Sequence, residues 1–383
     1  MRDLYSPEWV EISEDVFRRL SFATPGGLVC PRLQHLTWTF AWGSMQQFLS
    51  PYLVSVAIFG DGMESGDPAL TTTISLLPTM YLEDFSLHEM SPPYTSIHSA
   101  LSEVVQRLNP CFKRLTTESS LPEPTWKHLA SLPKLESLRF SDTPRTEISK
   151  FIPHENAFPA LERMEIKVDN AHQHWSFLFS LLKSSPLRSV RVTTSRRIRG
   201  VDVPGQVTTA ILGAELQRSI DILIFTESDP ANFTFLSHLA PFGSLKTLTC
   251  ITKCRWGGQC VSPLTDPDIE RLARGLPQLV SLRLGHMCKR SLHRTTIKSM
   301  ISLSTHCTSL QYLSLPCNLT NIFEDVKTES GEPDSRLEIR SPCKLRSLAF
   351  RWLVMPPAED IEALGIACSA LSHLFPRLGS VPG

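Results

Sequence analysis

The chain has 383 residues, of which 42% are hydrophobic and 20% are charged, so it is not intrinsically disordered and can build a sizeable core. Lysine plus arginine equals aspartate plus glutamate at 38 each, which leaves a formal net charge of zero. A balanced chain has no global field to hold nucleic-acid phosphates or an anionic membrane, so we expect neither as a partner.

Leucine accounts for 52 of the 383 residues, and its spacing recurs along the chain. The recurring pattern is Leu-x-x-apolar-x-apolar, often preceded by Pro or Cys one to three residues earlier. Its strict form, Pro-x-Leu-x-x-(Leu or Met)-x-apolar, occurs four times, whereas about 0.3 copies are expected by chance in this composition. The strict copies begin at Pro31, Pro133, Pro159 and Pro277. The sequence therefore contains a leucine-rich repeat.

Thirteen repeats follow one another in chain order. Their first leucine-type residues have the numbers 33, 53, 82, 112, 135, 161, 187, 220, 245, 279, 310, 345 and 371. The intervals run from 20 to 35 residues with a mean of about 28, at the long end of the leucine-rich class. The unequal intervals indicate irregular repeats.

The apolar residues of each repeat also predict its secondary structure. The Leu-x-x-Leu-x-Leu core alternates apolar and polar residues, which predicts a short strand with one buried face. Apolar spacing predicts helices over 99–108 and 174–182. The sequence Thr-Asp-Pro-Asp at 265–268 is expected to open another helix, with a capping residue and with Pro267 in the first turn. Polar or Gly- and Pro-rich stretches such as 254–267 are interpreted as loops between repeats.

A single repeat cannot bury its own apolar side, so stacking is required. The predicted fold class is therefore α/β, a leucine-rich-repeat solenoid with a curved parallel sheet inside and helices outside. We expect residues 1–32 to form an N-terminal cap segment and residues 33–383 to form one irregular solenoid domain.

The sequence also predicts a soluble protein of the cell interior. Its longest apolar stretch, near 52–59, is far shorter than the roughly 18 to 20 residues of a membrane span, and the N-terminus has no apolar signal core. The 10 cysteines, without a secretory signal, favour reduced thiols over a disulfide framework. We therefore expect a cytoplasmic or nuclear location.

The third, fifth and seventh positions of each repeat flank the buried ones and are expected to line the concave face of the sheet. In the middle and later repeats these positions hold Arg139, Arg163, Glu165, Lys167, Arg191, Arg283, Tyr312 and Arg351. Six of these eight are basic, and guanidinium groups on a rigid sheet suit bidentate capture of carboxylate or phosphate. We hypothesise that this face binds an acidic or phosphorylated segment of a partner protein. In the alternative, its basic side chains pair with neighbouring acids such as Glu136, Glu162 and Asp142.

The common catalytic motifs are missing from the sequence. It contains no Gly-x-Gly-x-x-Gly, no phosphate loop and no Gly-x-Ser-x-Gly elbow. Cys250, Cys254, Cys260, His286 and Cys288 offer donors that suit zinc, but their spacing matches no common structural zinc pattern. The first of these cysteines also falls on a buried strand position. We therefore predict a non-enzymatic protein without catalytic residues, metal ion or cofactor, and an enzyme built on these cysteines is the weaker alternative.

Several segments resemble the leucine-rich portion of fungal F-box proteins. They are the sequence Pro-Arg-Leu-Gln-His-Leu-Thr-Trp at 31–38, Phe-Leu-Ser-Pro-Tyr-Leu at 48–53, Phe-Pro-Ala-Leu-Glu at 158–162 and Ser-Pro-Leu at 185–187. Residues 12–20 resemble the segment that follows the F-box in that group. The resemblance covers nearly the whole chain.

In that family the F-box docks on the Skp-type adaptor of a cullin ubiquitin ligase, and the repeats select the substrate. The resemblance therefore implies a protein-binding substrate-recognition module, with a Skp-type adaptor as partner only if an F-box lies upstream. The 32 residues before Leu33 contain no Leu-Pro followed by the paired helices of an F-box, so we expect the F-box to be absent or truncated. The alternative is a stand-alone leucine-rich-repeat scaffold or inhibitor unrelated to ubiquitin.

Overall fold

A computed structural model of the chain describes a defined set of residues. They are 3–4, 14–23, 28–38, 45–59, 68–77, 81–88, 95–118, 121–141, 156–168, 175–194, 201–228, 233–252, 261–286, 292–318, 345, 347–349 and 353–354. The chain divides into two compact units. Unit 1 comprises Met1–Val168 and His172–Leu187, and unit 2 comprises Asp169–Ala171 and Arg188–Gly383.

The described part of unit 1 contains a parallel sheet whose strands pair in chain order. Its strands are β1 (Asp3–Leu4), β2 (His35–Trp38), β3 (Ser55–Phe59), β4 (Asp84–His88), β5 (Arg114–Thr117), β6 (Ser137–Ser141) and β7 (Arg163–Val168). Its helices are α1 (Glu14–Ala23), α2 (Pro68–Ser75), α3 (Thr95–Gln106), α4 (Glu123–Ser131) and α5 (Trp175–Leu181). The register places equivalent repeat positions side by side, as with Leu138 and Met164.

Unit 2 has the same organisation. Its main parallel sheet has the order β8 (Ser189–Thr194), β9 (Ile222–Ser228), β10 (Thr247–Thr252), β12 (Ser281–His286), β14 (Tyr312–Ser314) and β16 (Ser347–Ala349). Two small parallel sheets pair β11 (Val261–Thr265) with β13 (Leu292–Arg294), and β15 (Cys317–Asn318) with β17 (Leu353–Val354). The described helices are α6 (Val203–Gly213), α7 (Asp266–Gly275) and α8 (Ile297–His306).

A turn before the strand explains the proline of the repeat motif. The backbone N–H of Leu33 donates to the carbonyl of Cys30 at 3.1 Å, and Leu279 makes the same bond, at 3.2 Å, to the residue three positions earlier. Pro31 and Pro277 each occupy the second position of such a turn. Proline favours this position because its ring fixes φ near the value that the turn needs.

A backbone carbonyl then accepts two hydrogen bonds from the next repeat, at the point where the next strand begins. The carbonyl of Gln34, at the second position of its repeat, accepts the backbone N–H of Val54 at 2.8 Å and of Ser55 at 3.0 Å. The corresponding pair of bonds recurs in both units. Repeat after repeat therefore enters the sheet in the same register, although the segments between the strands differ in length.

The apolar positions predicted to be buried form the core between strands and helices. Helix α3 covers most of the predicted 99–108 helix, and α5 lies within 174–182. Helix α7 begins directly after Thr265, whose side chain and that of Asp268 form a capping box. These helix predictions are confirmed.

One loop interpretation is wrong. Strand β11 lies within 254–267, which the sequence pattern assigns to a loop. Pro263 favoured the loop interpretation, because proline is usually excluded from the interior of a strand. Among the described residues β11 pairs with β13 alone, and the register shifts between Val261 and Thr265, so the missing proline N–H interrupts no central ladder there.

The fold class is α/β, and each unit is a leucine-rich-repeat solenoid. Twelve of the predicted repeats supply the strands β2 to β10, β12, β14 and β16, whereas the repeat that begins at Leu371 lies outside the described residues. Strand β1 precedes the first repeat, pairs with β2 and was not predicted. The division into a cap segment and a single 33–383 domain stays a prediction. No helix in the described ranges is long and apolar enough to cross a membrane.

Substitution of Pro277 with alanine tests the role of proline in the turn. We expect the free energy of unfolding to fall by about 0.4–1 kcal/mol, because alanine adds conformational freedom to the unfolded chain. Chemical denaturation measures this change. Gln278→Ala in the same turn is the matched control and is expected to change stability by less than about 0.5 kcal/mol. Equal effects of the two changes would contradict the assignment.

Candidate partner-binding face

The two faces of each sheet differ in what covers them. Trp126 of α4 contacts Phe140 of β6 with ring centroids 5.0 Å apart, so the fourth and sixth repeat positions face the helices. Side chains alternate along a strand, so the third, fifth and seventh positions lie on the opposite side. We call this side the exposed sheet face.

In unit 1 the exposed sheet face is rich in ion pairs. Arg114 of β5 binds Asp84 of β4 through two bonds, from Nε to Oδ1 at 2.5 Å and from Nη2 to Oδ2 at 2.6 Å. The hydrogen bond to Asp84, together with the carboxylate charge, raises the pKa of Arg114 above its ordinary value. At the second repeat positions, directly before these two strands, Lys113 Nζ lies 2.7 Å from Glu83 Oε2, and this hydrogen bond and charge raise the pKa of Lys113.

The predicted binding residues of unit 1 belong to the same network. The distance from the side-chain nitrogen to the carboxylate oxygen is 3.5 Å for Arg139 and Glu165, 3.9 Å for Arg163 and Glu136, and 3.0 Å for Lys167 and Glu118. The first of these pairs joins two predicted residues. The alternative stated from the sequence, that basic side chains pair with neighbouring acids, anticipates the pair of Arg163 and Glu136. Asp142, which it also names, lies outside the described residues. Acids of the same or nearby repeats therefore compensate much of the basic charge on this part of the face.

In unit 2 the exposed sheet face has a different composition. The register aligns the fifth positions of β8, β9, β10 and β12, which are Arg191, Ile224, Thr249 and Arg283. Both arginines are exposed. Tyr312 lies on β14 and is 46% exposed. Three predicted residues are thus brought onto one face, and Arg351 lies outside the described residues.

An apolar cluster separates the two arginines. It consists of Ile222 and Ile224 on β9 and Ile251 on β10, and we call it the isoleucine patch. All three side chains are half-buried although they point away from the helices. At one border the hydroxyls of Thr193 and Thr226 are hydrogen-bonded at 2.8 Å.

The described charged side chains on this part of the face are all basic. Among the described side chains at the third, fifth and seventh positions of unit 2, arginine is the charged residue and no acid occurs. The rest are serine, threonine, isoleucine and tyrosine, with Gly285 and Pro316 at two seventh positions. The surface therefore combines apolar area with positive charge.

The isoleucine patch is a feature that the sequence reasoning missed. The signal was present in residues 220–226, Ile-Asp-Ile-Leu-Ile-Phe-Thr, where isoleucine occupies the third and fifth positions that are polar in most repeats. A parallel strand that is apolar on both sides is usually covered on both sides. The repeat pattern does not reveal this departure, because it specifies only the buried positions.

The described residues contain no group of three or more His, Cys, Asp and Glu side chains that could hold a metal ion. Cys250 lies on β10 with 1% exposure, which confirms its predicted burial. Cys254, Cys260, Cys288 and the side chain of His286 lie outside the described part of the chain.

Thirty-five chains of solved structures are similar to this chain. The crystal structure of the Rad7 and Elc1 complex in yeast has a TM-score of 0.45 at 15% identity and covers 88% of this chain and 83% of that chain. The crystal structure of the TLR13-ssRNA13 complex has a TM-score of 0.38 at 16% identity, and the match covers 83% of this chain but 41% of that one. No protein-family model matches the chain, and no curated protein matches it. The repeats place its fold in the leucine-rich-repeat class.

Proposed function

We propose that the chain is a non-catalytic protein-binding module and that the exposed sheet face of unit 2 is its ligand site. The observation that carries this proposal is the isoleucine patch. Ile222 and Ile224 make β9 apolar on the side that faces away from the described helices, and apolar patches rimmed by polar residues are typical of interaction sites. A partner that covers the patch would complete the burial of this strand.

Charge favours an acidic segment of the partner. Arg283 borders the patch, no described acid lies at the third, fifth or seventh positions of unit 2, and arginine and tyrosine are among the residues that interfaces prefer. A carboxylate or a phosphate group suits the arginine fork. In unit 1, Arg139, Arg163 and Lys167 already bind acids of nearby repeats.

The test is affinity capture from cell extract with quantitative mass spectrometry. We expect Arg283→Glu and Ile224→Ser each to reduce the amount of captured partner by about tenfold or more, because each removes an interaction at the centre of the site. Lys298→Glu on α8 makes the same charge change in the helix layer and serves as the control. Unchanged capture by Arg283→Glu, or an equal loss with Lys298→Glu, would contradict the proposal.

A second candidate function is substrate recognition for an F-box type ubiquitin ligase. It is supported by the resemblance of the repeats and of residues 12–20. It is also favoured by the exposed apolar side chains of α1, namely Val16, Leu20 and Phe22 at 44%, 39% and 85% exposure. Val16 and Leu20 are one helical turn apart and share a side of the helix.

Capture experiments also separate these two functions. Recovery of a Skp-type adaptor and a cullin, with this chain or with a form extended upstream of Met1, is expected if the module is a ligase receptor. Val16→Asp with Leu20→Asp is then expected to release the adaptor and to leave binding at the isoleucine patch intact. Recovery of other proteins and never of a cullin would favour the stand-alone scaffold or inhibitor.

A further inference from the structure

We propose that unit 1 carries a second interaction surface, which binds a proline-rich segment that has an acidic residue at each end. The surface belongs to unit 1 alone, so the inference does not depend on the function proposed for unit 2. It is carried by the residues directly before the first leucine-type residue of five successive repeats. These residues are Arg32, Tyr52, Tyr81, Cys111 and Lys134, and we call them the turn row.

Contacts between neighbouring turns hold the turn row in place. The hydroxyl of Ser50 donates to the carbonyl of Pro31 at 2.6 Å, which joins the turns before β2 and β3. At the other end of the row, Lys134 Nζ donates to Cys111 Sγ at 3.6 Å. The strands that follow these turns pair in chain order from β2 to β6. Successive members of the turn row are therefore about 4.8 Å apart.

The turn row combines exposed aromatic rings with positive charge. All five members are exposed, and Tyr52 and Tyr81 are 56% and 55% exposed. The row contains two basic residues and no acid, and neither Arg32 nor Lys134 forms an ion pair with a described residue. Glu83, two residues after the second tyrosine, is already bound to a lysine at 2.7 Å. Charge complementarity therefore favours an acidic partner segment, and the tyrosines favour one with apolar area between its acids.

The spacing of the turn row fits a polyproline II helix. Arg32, Tyr81 and Lys134 hold the first, third and fifth places, so their Cα atoms follow one another at about 9.6 Å. A polyproline II helix has three residues per turn and rises about 3.1 Å per residue, so every third residue faces the same side at intervals of about 9.3 Å. Acidic residues at i and i+6 therefore meet the two basic residues, and a proline at i+3 meets Tyr81.

The direction of the row also favours this conformation. The row runs across the points where the strands begin, whereas a segment added to a sheet edge runs along a strand. The segment therefore gains no ladder of backbone hydrogen bonds. A polyproline II helix needs none, and its solvated carbonyls are acceptors for the hydroxyls of Tyr52 and Tyr81. Its rigid backbone loses little entropy on binding, which suits an open, aromatic surface.

The experiment measures binding of fluorescent peptides to the full chain by anisotropy. Each peptide has prolines between two glutamates, which are three, six or nine positions apart. We expect the separation of six to bind about threefold more tightly than the others at low salt, because only then do both acids reach a basic residue through an exposed ion pair. A peptide of the same charge and length in which glycine and serine replace the prolines is expected to bind about tenfold more weakly.

Substitutions locate the binding site of these peptides. Tyr81→Ala is expected to weaken binding of the best peptide about tenfold, because the ring lies at the centre of the row. Arg32→Glu is expected to remove the preference for the separation of six. Tyr312→Ala, which removes an exposed tyrosine of unit 2, is the matched control and is expected to leave binding unchanged. Circular dichroism of each variant checks that the fold is retained.

Four results overturn the inference. The glycine and serine peptide binds as tightly as the proline peptide, Tyr81→Ala leaves the affinity unchanged, Arg283→Glu of unit 2 abolishes binding, or no peptide binds at up to about 1 mM. The first result shows recognition of charge alone, and the third shows that the peptides bind at unit 2. The capture experiment tests the function proposed for unit 2 separately.

Discussion

Replacement of Trp126 with alanine is expected to lower the free energy of unfolding of unit 1 by about 3–5 kcal/mol. The indole is 1% exposed and lies edge-on to Phe140, with ring centroids 5.0 Å apart. It also contacts Phe158, which precedes β7, at 6.3 Å. The side chain thus joins α4 to two successive repeats, and its removal leaves a cavity that rigid strands cannot fill.

Trp126→Phe separates the volume of the indole from its polar atom. Trp126 Nε1 is buried without a hydrogen-bond partner, and burial of such a donor costs about 1–3 kcal/mol. Phenylalanine keeps an aromatic ring and removes the donor, so we expect the free energy of unfolding to change by less than about 1.5 kcal/mol. Urea denaturation gives the total change, and hydrogen exchange of α4 and β6 locates it. Equal losses for both variants would contradict the role of packing.

Replacement of Asp266 with alanine is expected to destabilise unit 2 by about 2–4 kcal/mol. Its carboxylate opens α7 and accepts the backbone N–H of Thr296 at 2.7 Å and its hydroxyl at 2.9 Å. It also accepts a hydrogen bond from the hydroxyl of Ser299. Thr296 is the N-cap of α8, so one negative group lies at the N-termini of two neighbouring helices, where their dipoles stabilise it.

Asp268 provides the matched control for this prediction. Its bonds are local to α7, where Oδ2 accepts the N–H and hydroxyl of Thr265 and Oδ1 accepts Arg271. Asp268→Ala is therefore expected to cost about 1 kcal/mol and to increase hydrogen exchange only in α7. Asp266→Ala is expected to increase exchange at the start of α8 as well. Similar exchange at α8 in the two variants would show that Asp266 does not connect the repeats.

Much of the fold follows from local patterns in the sequence. Strands of period two and helices of period 3.6 have distinct apolar spacings, so β6 and α7 could be predicted without any knowledge of their neighbours. Helix α7 was predicted most closely, since Thr-Asp-Pro-Asp at 265–268 combines a capping residue with a proline just before the apolar positions.

The candidate site could be predicted only in part. The alternation of the strands placed Arg283 and Tyr312 on the exposed face, but the sequence did not separate them from Arg139 and Lys167. That distinction depends on neighbours that are distant in the chain, such as Glu118, whose carboxylate binds Lys167 across 49 residues. The isoleucine patch was missed for a different reason. The repeat pattern specifies only the buried positions and carries no information about the exposed sheet face.

The sequence by itself determined the repeat, its strands and three of the eight described α-helices. Only the tertiary structure decided which charges pair between repeats, that β11 is a strand despite Pro263, and that two arginines border an apolar patch in unit 2. The physical reason is the register. Parallel pairing brings residues about 4.8 Å apart from strand to strand, although loops of unequal length separate them in the chain.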